Sequence, residues 1–423
     1  MEYKGDIKMN ILDIVKNYEN CECGQVHECG VRDVEIGCGL VNNVGEILYK
    51  NKFPKKLLLV ADKTTLQVSE RIEKSLEGFE LTYKIYDTLR VATMDNVLEI
   101  ESYIDSGIEG VIAVGTGSIH DPCRLACANK NKPLCLFATA PSMDGFASYS
   151  APIVNGNFKI SYPAKCPEVI IGDTKILAAS PVELKRAGFG DMVSKYIAII
   201  DWQVSFLISG ESYCKKVCNL TRYAVDNVMK MADRVAKDDE ESAKSIFEGL
   251  LLTGIAMSFT KTSRPGSGTE HIMAHYIECK ELLENKIPNY HGEDVGVMTL
   301  IMLKFYKDLL NKSAVKAHRE ITDWADVYEV YGKLAPDVKK LNTPDTITDH
   351  IDPKLLEEKW EEIKKIIAGV PSYEEVYNAM KIAGCKTSVA EIGKSEMFVR
   401  EAFRYHPYMR RRLSLRRLTN MFD

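Results

Sequence analysis

Over the first 180 residues, short β-type runs alternate with helical stretches, and this alternation constrains the fold more than any other feature. Strand-like runs occupy residues 55–62, 81–87, 111–115 and 133–142, with a helical pattern at 93–107. Strands that alternate with helices of about 10–15 residues predict βαβ units and a parallel sheet.

The pattern becomes almost wholly helical near residue 180. Ser180, Pro181, Val182 and Glu183 have the form of a capping box with proline at the first helical position. Amphipathic segments follow at 223–235, 240–260, 294–310, 323–334, 353–368 and 372–382. We therefore predict an α/β, Rossmann-like domain over residues 1–180 and an all-helical domain over residues 181–423.

Charge argues against a nucleic-acid partner. The 423 residues include 55 Lys or Arg and 60 Asp or Glu, which gives a formal net charge of −5, whereas nucleic-acid-binding domains are usually basic. The basic cluster at 410–417 has leucines at 413, 415 and 418, so we predict the end of an amphipathic helix there.

The sequence predicts neither a membrane span nor export. No apolar run approaches the roughly 18–20 residues that cross a bilayer, and the opening MEYKGDIKMN lacks the apolar core of a signal peptide. The 12 cysteines are too sparse for a disulfide scaffold, so we expect mostly reduced thiols. These features predict a cytoplasmic enzyme.

The strand at 111–114 leads into the turn GTGSIHD at 115–121, and a helix is predicted from about residue 121. Glycines allow a tight turn close to a pyrophosphate, and a helix N-terminus offers unpaired N–H groups to it. The full GxGxxG pattern is missing, so a plain strand-to-helix turn is the alternative. The place of the turn in a βαβ series favours phosphate binding.

Asp62 follows the strand that begins at residue 55. A carboxylate there can accept hydrogen bonds from a ribose hydroxyl and would repel a ribose 2′-phosphate. The alternative is a turn aspartate that caps the next helix.

Three of the eight histidines fall close together, at His271, His275 and His291. If residues 268–275 are helical, the i,i+4 spacing puts the first two imidazoles on one face. Two imidazoles and one carboxylate leave an open position on a divalent metal, as catalysis needs. The best candidate for the carboxylate is Asp191, which sits beside glycines at the start of a long apolar helix and needs a partner there.

The remaining histidines are interpreted as packing residues: His27, His120, His318, His350 and His406. The stretch CECGQVHEC at 21–29 does not have the spacing of a usual zinc knuckle. We interpret it as a tight hairpin, with a structural metal site as the alternative.

Together these motifs resemble the iron-containing (group III) alcohol dehydrogenases, and within them the bacterial type of sn-glycerol-1-phosphate dehydrogenase. The resemblance spans nearly the whole chain. It is strongest at GTGSIHD (115–121), TAPSMDGFASYSA (139–151), GFGDMVSKY (188–196), SRPGSGTEHIMAH (263–275) and HGEDVGV (291–297). It implies the dehydroquinate synthase-like fold, with the active site between a Rossmann-like and an all-helical domain.

The resemblance implies that NAD(P) binds in the N-terminal domain. The implied turn contacts are Gly117, Ser118, Ile119, His120 and Asp121. Further contacts are implied for Asp62, Thr139, Ala140, Pro141, Ser142 and Ser148. His120 thereby moves from the packing histidines to the cofactor neighbours.

The resemblance also implies a metal and substrate site. Asp191, His271 and His291 become the ligands of one divalent ion, while His275 and Asp144 become substrate contacts. Asp191 is implied to touch substrate as well. Iron-dependent relatives usually offer a fourth ligand, a histidine, where this chain has Lys195, so a three-ligand zinc or nickel site is expected.

The implied reaction interconverts dihydroxyacetone phosphate and sn-glycerol 1-phosphate with NAD(P), a step of phospholipid metabolism. The alternatives are a glycerol or polyol dehydrogenase, a dehydroquinate-synthase-like lyase that recycles its NAD, and a non-catalytic metal- or nucleotide-binding protein. A binding module has no need of an open metal position beside a nucleotide, which disfavours the last.

The substrate phosphate needs cations, and the nearest in sequence to His271 are Lys261 and Arg264. The alternative is that both are solvated charges at a helix end. The resemblance further implies a homodimer or a larger assembly.

Overall fold

The computed structural model describes residues 11–18, 20–156 and 158–423. Residues 1–10, which carry the predicted absence of a signal-peptide core, lie outside this part of the chain. The strands are β1 (Asp33–Gly37), β2 (Lys56–Asp62), β3 (Glu80–Tyr86), β4 (Gly110–Gly115), β5 (Leu134–Ala138), β6 (Ser150–Asn155), β7 (Phe158–Pro163) and β8 (Val169–Asp173). The helices up to residue 180 are α1 (Ile11–Lys16), α2 (Val44–Lys50), α3 (Lys63–Val68), α4 (Ile72–Ser75), α5 (Met94–Asp105), α6 (Gly117–Lys130) and α7 (Thr174–Ala178).

Six strands form one parallel sheet in the order β1-β8-β5-β4-β2-β3. Strands β4 and β8 are buried along their whole length, as expected when helices cover both faces of a sheet. The predicted α/β architecture is confirmed. Strands β6 and β7 form a separate antiparallel pair.

The strand order reverses between β2 and β4. From β2 the chain continues to β3 at one edge, whereas from β4 it proceeds through β5 towards the other edge. Ligands of open α/β sheets bind beyond the carboxyl ends of the strands at such a switch point. Asp62 and the Gly115–Gly117 turn both lie there, because they end β2 and follow β4.

The rest of the described chain is helical, as predicted. Its helices are α8 (Val182–Val193), α9 (Lys195–Ser209), α10 (Lys215–Met229), α11 (Glu240–Thr260), α12 (Thr269–Leu283), α13 (His291–Leu309), α14 (Trp324–Tyr331), α15 (Ala335–Leu341), α16 (Pro353–Glu358), α17 (Trp360–Ala368), α18 (Tyr373–Ile382), α19 (Glu396–Tyr405) and α20 (Leu415–Leu418). Helix α11 is buried over most of its length and forms the centre of the helical core, since a helix that is apolar all round belongs in an interior. Within the described residues, no helix has both the length and the apolar character to cross a membrane.

Several predicted boundaries and caps are wrong. Helix α6 begins at Gly117 and not near residue 121, because the glycine turn itself takes helical conformation. The predicted capping box is absent: Pro181 is the N-cap of α8, and the Ser180 hydroxyl donates instead to the Leu177 carbonyl at 2.7 Å.

Three other local predictions also differ from the structure. Helix α10 starts eight residues before the predicted 223 and ends at Met229. Residues 21–29 turn without pairing as strands, so the predicted hairpin is wrong. Of the basic cluster at 410–417, only Leu415 and the residues after it are helical.

Candidate active site at the domain boundary

Helices α8 and α13 approach each other backbone to backbone at glycines. A Cβ atom on Gly190 would lie 2.2 Å from the carbonyl oxygen of Gly292, and one on Gly292 would lie 1.8 Å from that of Ala187. Close-packed interiors leave no room for such an atom. The approach brings Asp191 beside the first residue of α13, His291.

Asp191 is fully buried, and both of its carboxylate oxygens have partners. Oδ1 accepts a hydrogen bond from the Lys195 ammonium at 2.7 Å, and Oδ2 accepts one from the backbone N–H of Asp144 at 2.9 Å. Burial alone would raise the pKa of Asp191, but Lys195 and His271 outweigh it and hold the pKa well below its ordinary value. Asp191 is therefore ionised.

Two buried glutamates orient the histidines of the predicted ligand set. Nδ1–H of His271 donates to Glu270 at 2.7 Å, and Nδ1–H of His291 donates to Glu278 at 2.7 Å. Metal-binding histidines almost always donate their other ring N–H to a carboxylate or carbonyl, which leaves Nε2 free to bind the ion. These side chains therefore fit a metal site.

The donor side chains form two adjoining groups. Each group keeps its donor atoms within 4.8 Å of one another, and the groups are Asp144, Asp191 and His271, and His275, Glu278 and His291. The ring centroids of His271 and His291 are 5.2 Å apart, and His271 Nε2 lies 3.3 Å from Asp191 Oδ1. The structure thus brings the three predicted ligands together, although they do not form a single group at that spacing.

Lys195 is fully buried between two acids. Its ammonium lies 2.7 Å from Asp191 Oδ1 and 2.6 Å from Asp144 Oδ2. Burial lowers the pKa of Lys195, but the two carboxylates outweigh it and raise the pKa above the ordinary value. A protonated amine has no lone pair to give a metal, so Lys195 supplies a charge to the site and not a ligand.

Two cationic side chains, Lys159 and Arg410, lie near His275. Burial lowers the pKa of His275 well below its usual value, and the nearby charges of Lys159 and Arg410 add to this, so the ring is neutral. Lys159 Nζ binds Glu278 at 2.7 Å, and Arg410 donates to the Lys159 carbonyl at 2.7 Å.

Arg412 adds a further charge beside Arg410. It donates to the Ser267 carbonyl at 2.8 Å, and burial, with Arg264 and Arg410 nearby, lowers its pKa to about 9. Within the described part of the chain, Arg410 and Arg412 bind carbonyl and hydroxyl oxygens and no carboxylate. Cations without a paired carboxylate favour an anionic ligand.

Helix α6 presents its N-terminus at the switch point of the sheet. Its N-cap, Thr116, makes no side-chain cap, and the N–H groups of Ile119 and His120 donate to the Thr116 carbonyl. The N–H groups of Gly117 and Ser118 are left for a ligand. A Cβ atom on Gly117 would lie 3.2 Å from Met143, so the turn is closely packed there. This end of the helix fits the phosphates of a dinucleotide.

The other predicted cofactor residues line or support this turn. The Thr139 backbone N–H, at the start of the loop after β5, donates to the carbonyl of Gly115, the last residue of β4, at 3.0 Å. Ala140, Pro141 and Ser142 follow in that loop and are buried. The Asp62 carboxylate accepts from the Thr65 backbone N–H at 2.8 Å and caps α3, so the capping interpretation is confirmed.

Three predicted cofactor residues are buried behind the turn. Asp121 pairs with the buried Arg124 at 3.0 Å, and Arg124 also donates to Ser148 Oγ at 3.1 Å. His120 is fully buried against Phe146, and burial lowers its pKa to about 3. These contacts hold the turn in place; contact of His120, Asp121 and Ser148 with a cofactor stays a prediction.

A chain of contacts links the glycine turn to the histidines. Ser118 Oγ donates to the Leu89 carbonyl at 2.6 Å. The next residue, Arg90, lies over the ring of Tyr290 at 4.1 Å, and Tyr290 precedes His291. The helix N-terminus and the donor groups therefore lie on the same face of the domain boundary.

Comparison with known proteins agrees with this geometry. Residues 35–181 match the family described as iron-containing alcohol dehydrogenase. A glycerol-1-phosphate dehydrogenase [NAD(P)+] of Bacillus licheniformis is 31% identical over 379 residues, which cover 87% of this chain and 93% of the relative. The enzyme of that name from Thermococcus kodakarensis is 34% identical over 64% of this chain and 76% of its own.

The chain belongs to the glycerol-1-phosphate dehydrogenase family. This confirms the resemblance stated from the motifs. Among solved structures, the sulfoacetaldehyde reductase of Bifidobacterium kashiwanohense in complex with NAD+ has a TM-score of 0.61 at 14% identity, with 94% of this chain and 96% of that chain covered. At that identity the match shows the shared fold.

One sequence prediction about this family member is wrong. Arg264 does not face the substrate site, because its guanidinium is buried and binds Glu211 at 2.7 Å and the Leu413 carbonyl at 2.6 Å. Lys261 is exposed at the end of α11. The cations beside His275 are instead Lys159 and Arg410, which sequence proximity could not identify because they come from distant segments.

The glutamates behind the two histidines were also missed. Glu278 follows His271 and His275 at i+7 and i+3, so the same helical spacing that paired the histidines places it on their face. The i+3 and i+7 spacing could therefore have identified Glu278 from the sequence as a neighbour of the two histidines.

The close helix contact yields the first prediction. In Gly190→Ala the added methyl group has no room against Gly292, so α8 and α13 must separate, at a cost of about 1–3 kcal/mol or more. We expect a lower thermal unfolding midpoint than in the wild type. Gly37→Ala is the matched control, because its Cβ would meet only the Leu40 side chain at 3.7 Å. Equal midpoints for the two variants would contradict the proposed close contact.

Proposed function

We propose that this protein is a metal-dependent, NAD(P)-linked dehydrogenase that interconverts dihydroxyacetone phosphate and sn-glycerol 1-phosphate. The observation that carries the proposal is the pair of glutamate-oriented imidazoles beside Asp191, on the same boundary as the open N-terminus of α6. The names of its family relatives support the substrate pair.

Asp191, His271 and His291 would hold one divalent ion, zinc or nickel. When bound, the ion supplies Lewis-acid stabilisation for the negative charge that develops on the substrate oxygen. The buried glutamates keep both rings in the tautomer that such binding needs. Lys195 offsets the charge of Asp144 and Asp191, so that two buried acids can stay close together.

His275 and Asp144 would contact the substrate on either side of the ligand set. His275 is neutral, so its ring can accept a hydrogen bond from a substrate hydroxyl. Asp144 is fixed by Lys195 at 2.6 Å, which orients its other oxygen towards a terminal hydroxyl of the substrate.

The nicotinamide cofactor would lie along the open end of α6, with its pyrophosphate on the first-turn N–H groups. Asp62 at the end of β2 favours NAD over NADP, because its carboxylate repels a ribose 2′-phosphate. We also expect a cytoplasmic homodimer, as the family resemblance implies.

The cations Lys159, Arg410 and Arg412 would bind the substrate phosphate. Arg410 and Arg412 lack carboxylate partners in the described chain, and Lys159 and Arg410 lie close enough to His275 to shift its pKa. A phosphate there would receive charge-assisted hydrogen bonds. Unphosphorylated glycerol leaves Arg410 and Arg412 without an anion, which favours glycerol phosphate over the polyol alternative.

A coupled assay tests the reaction. Dihydroxyacetone phosphate should be reduced with net consumption of NADH, chelation should abolish the activity, and zinc or nickel should restore it. Glycerol and NAD should give much slower turnover than glycerol 1-phosphate and NAD. Faster oxidation of glycerol would favour the polyol dehydrogenase, and turnover with no net change in NADH would favour the lyase.

The phosphate site gives a separate prediction. Arg412→Ala should lower kcat/KM for dihydroxyacetone phosphate about tenfold or more, because a hydrogen bond to a charged group contributes about 1.5–3 kcal/mol. Turnover of unphosphorylated dihydroxyacetone should change little.

The control is Arg411→Ala. Arg411 is exposed and pairs with Asp345 at 3.0 Å, so this variant should behave like the wild type. An equal loss with the phosphorylated and unphosphorylated ketones would show that Arg412 only supports the fold.

A further inference from the structure

Four metal-binding side chains meet at a second place, among residues without an assigned role. Cys21, Cys23 and His27 come from the segment between α1 and β1, and Cys214 comes from the start of α10. Each offers one donor atom, and these atoms all lie within 4.8 Å of one another. Three thiols and one imidazole match the Cys₃His set of structural zinc sites.

The distances fit a tetrahedral ion. Cys21 Sγ lies 3.5 Å from Cys214 Sγ, and Cys23 Sγ lies 3.2 Å from His27 Nε2. With Zn–S bonds of about 2.3 Å and a Zn–N bond of about 2.0 Å, the edges of a tetrahedron of three sulfurs and one nitrogen are about 3.5–3.8 Å. The two separations are within a few tenths of an ångström of these edges, and all donor atoms lie within 4.8 Å of one another, so small movements suffice to bind an ion.

His27 is held in the tautomer that zinc requires. The ring is buried, and its Nδ1–H donates to the Phe259 carbonyl at 3.0 Å. The lone pair of Nε2 therefore points towards the thiols. This is the same arrangement, with a carbonyl in place of a carboxylate, that orients metal-binding histidines generally.

The helix that carries Cys214 stabilises negative charge at this point. Cys214 is the N-cap of α10, and its sulfur accepts the backbone N–H of Val217 at 3.5 Å. Three thiolates, a neutral imidazole and Zn²⁺ sum to a charge of −1, and a helix N-terminus favours such a charge.

We propose that Cys21, Cys23, His27 and Cys214 bind one zinc ion in a closed, structural site. The donor set leaves no open position for a substrate, and soft thiolate ligands select zinc over magnesium or calcium. The site is distinct from the proposed catalytic ion, since the two share no residue.

The ion would fasten the N-terminal segment to the helical domain. Tyr18 already stacks on Phe259 with ring centroids 5.0 Å apart, and its hydroxyl donates to the Lys216 carbonyl at 3.2 Å. Gly24, with φ of 74°, turns the chain so that Cys23 and His27 face the same point. The segment that reads CECGQVH is thereby explained as three ligands and their turn.

Metal analysis of purified protein tests the site. We expect the wild type to hold two equivalents of divalent metal per chain, and Cys214→Ser or Cys23→Ser to lose one. Cys29→Ser is the matched control: Cys29 lies in the same stretch but contacts Cys166 at 3.5 Å, so this variant should keep both. Equal metal content in Cys214→Ser and Cys29→Ser would overturn the proposal.

A second measurement does not depend on the folding of a cysteine variant. His271→Ala should lose only the catalytic ion, and after cobalt substitution it should still show thiolate-to-cobalt charge-transfer absorption. Absence of that absorption, or a wild-type mass lighter by two hydrogens because Cys21 and Cys214 form a disulfide, would overturn the site. Retention of both ions in His271→Ala would instead count against the proposed catalytic ligands alone.

Discussion

The backbone contact between α8 and α13 is the constraint on which the rest of the proposed active site depends. Gly190 and Gly292 let the two helices approach until no side chain fits between them. Only at that separation does Asp191, in the last turns of α8, lie beside His291 at the start of α13. The glycines in these two motifs thus allow close packing, which also explains why the two proposed ligands lie directly next to them in the sequence.

The buried charged side chains at the boundary between the two domains are paired with groups of opposite charge or with hydrogen-bond partners. Asp191 and Asp144 share Lys195, Glu270 holds His271, and Glu278 is shared between His291 and Lys159. Burying a lone charge costs several kcal/mol, so each of these groups depends on its partner. Arg410, which lies near His275, and Arg412 have no carboxylate partner among the described residues. For this reason we propose that they bind the substrate phosphate.

The sequence allowed the architecture to be predicted, and it selected side chains that the structure brings close together. Periodicity found the parallel sheet, the helical domain and the strand that ends at the glycine turn, because burial on the faces of a sheet or helix repeats at a fixed spacing. Helical spacing correctly predicted that His271 and His275 lie on one face of a helix. The same spacing also places Glu278 on that face, although the sequence analysis did not select this residue.

Other features depend on contacts between residues far apart in the chain. Arg410 donates a hydrogen bond to Lys159, which is 251 positions away in the sequence. Cys214 contacts Cys21, which is 193 positions away. No local sequence pattern encodes contacts over such distances. Proximity in sequence therefore selected Arg264 wrongly, and it could not connect Cys214 with the stretch that contains Cys21 and Cys23. The capping box at Ser180 failed for a local reason, because the Ser180 hydroxyl donates to the Leu177 carbonyl three residues earlier.

Anomalous diffraction at a metal absorption edge, on crystals of the protein with NAD, tests the central claim most directly. The account predicts an ion bound to Asp191 and to the Nε2 atoms of His271 and His291, facing the nicotinamide of a cofactor whose pyrophosphate lies at the start of α6. A protein without a peak there, or with an ion that binds neither histidine, would contradict it.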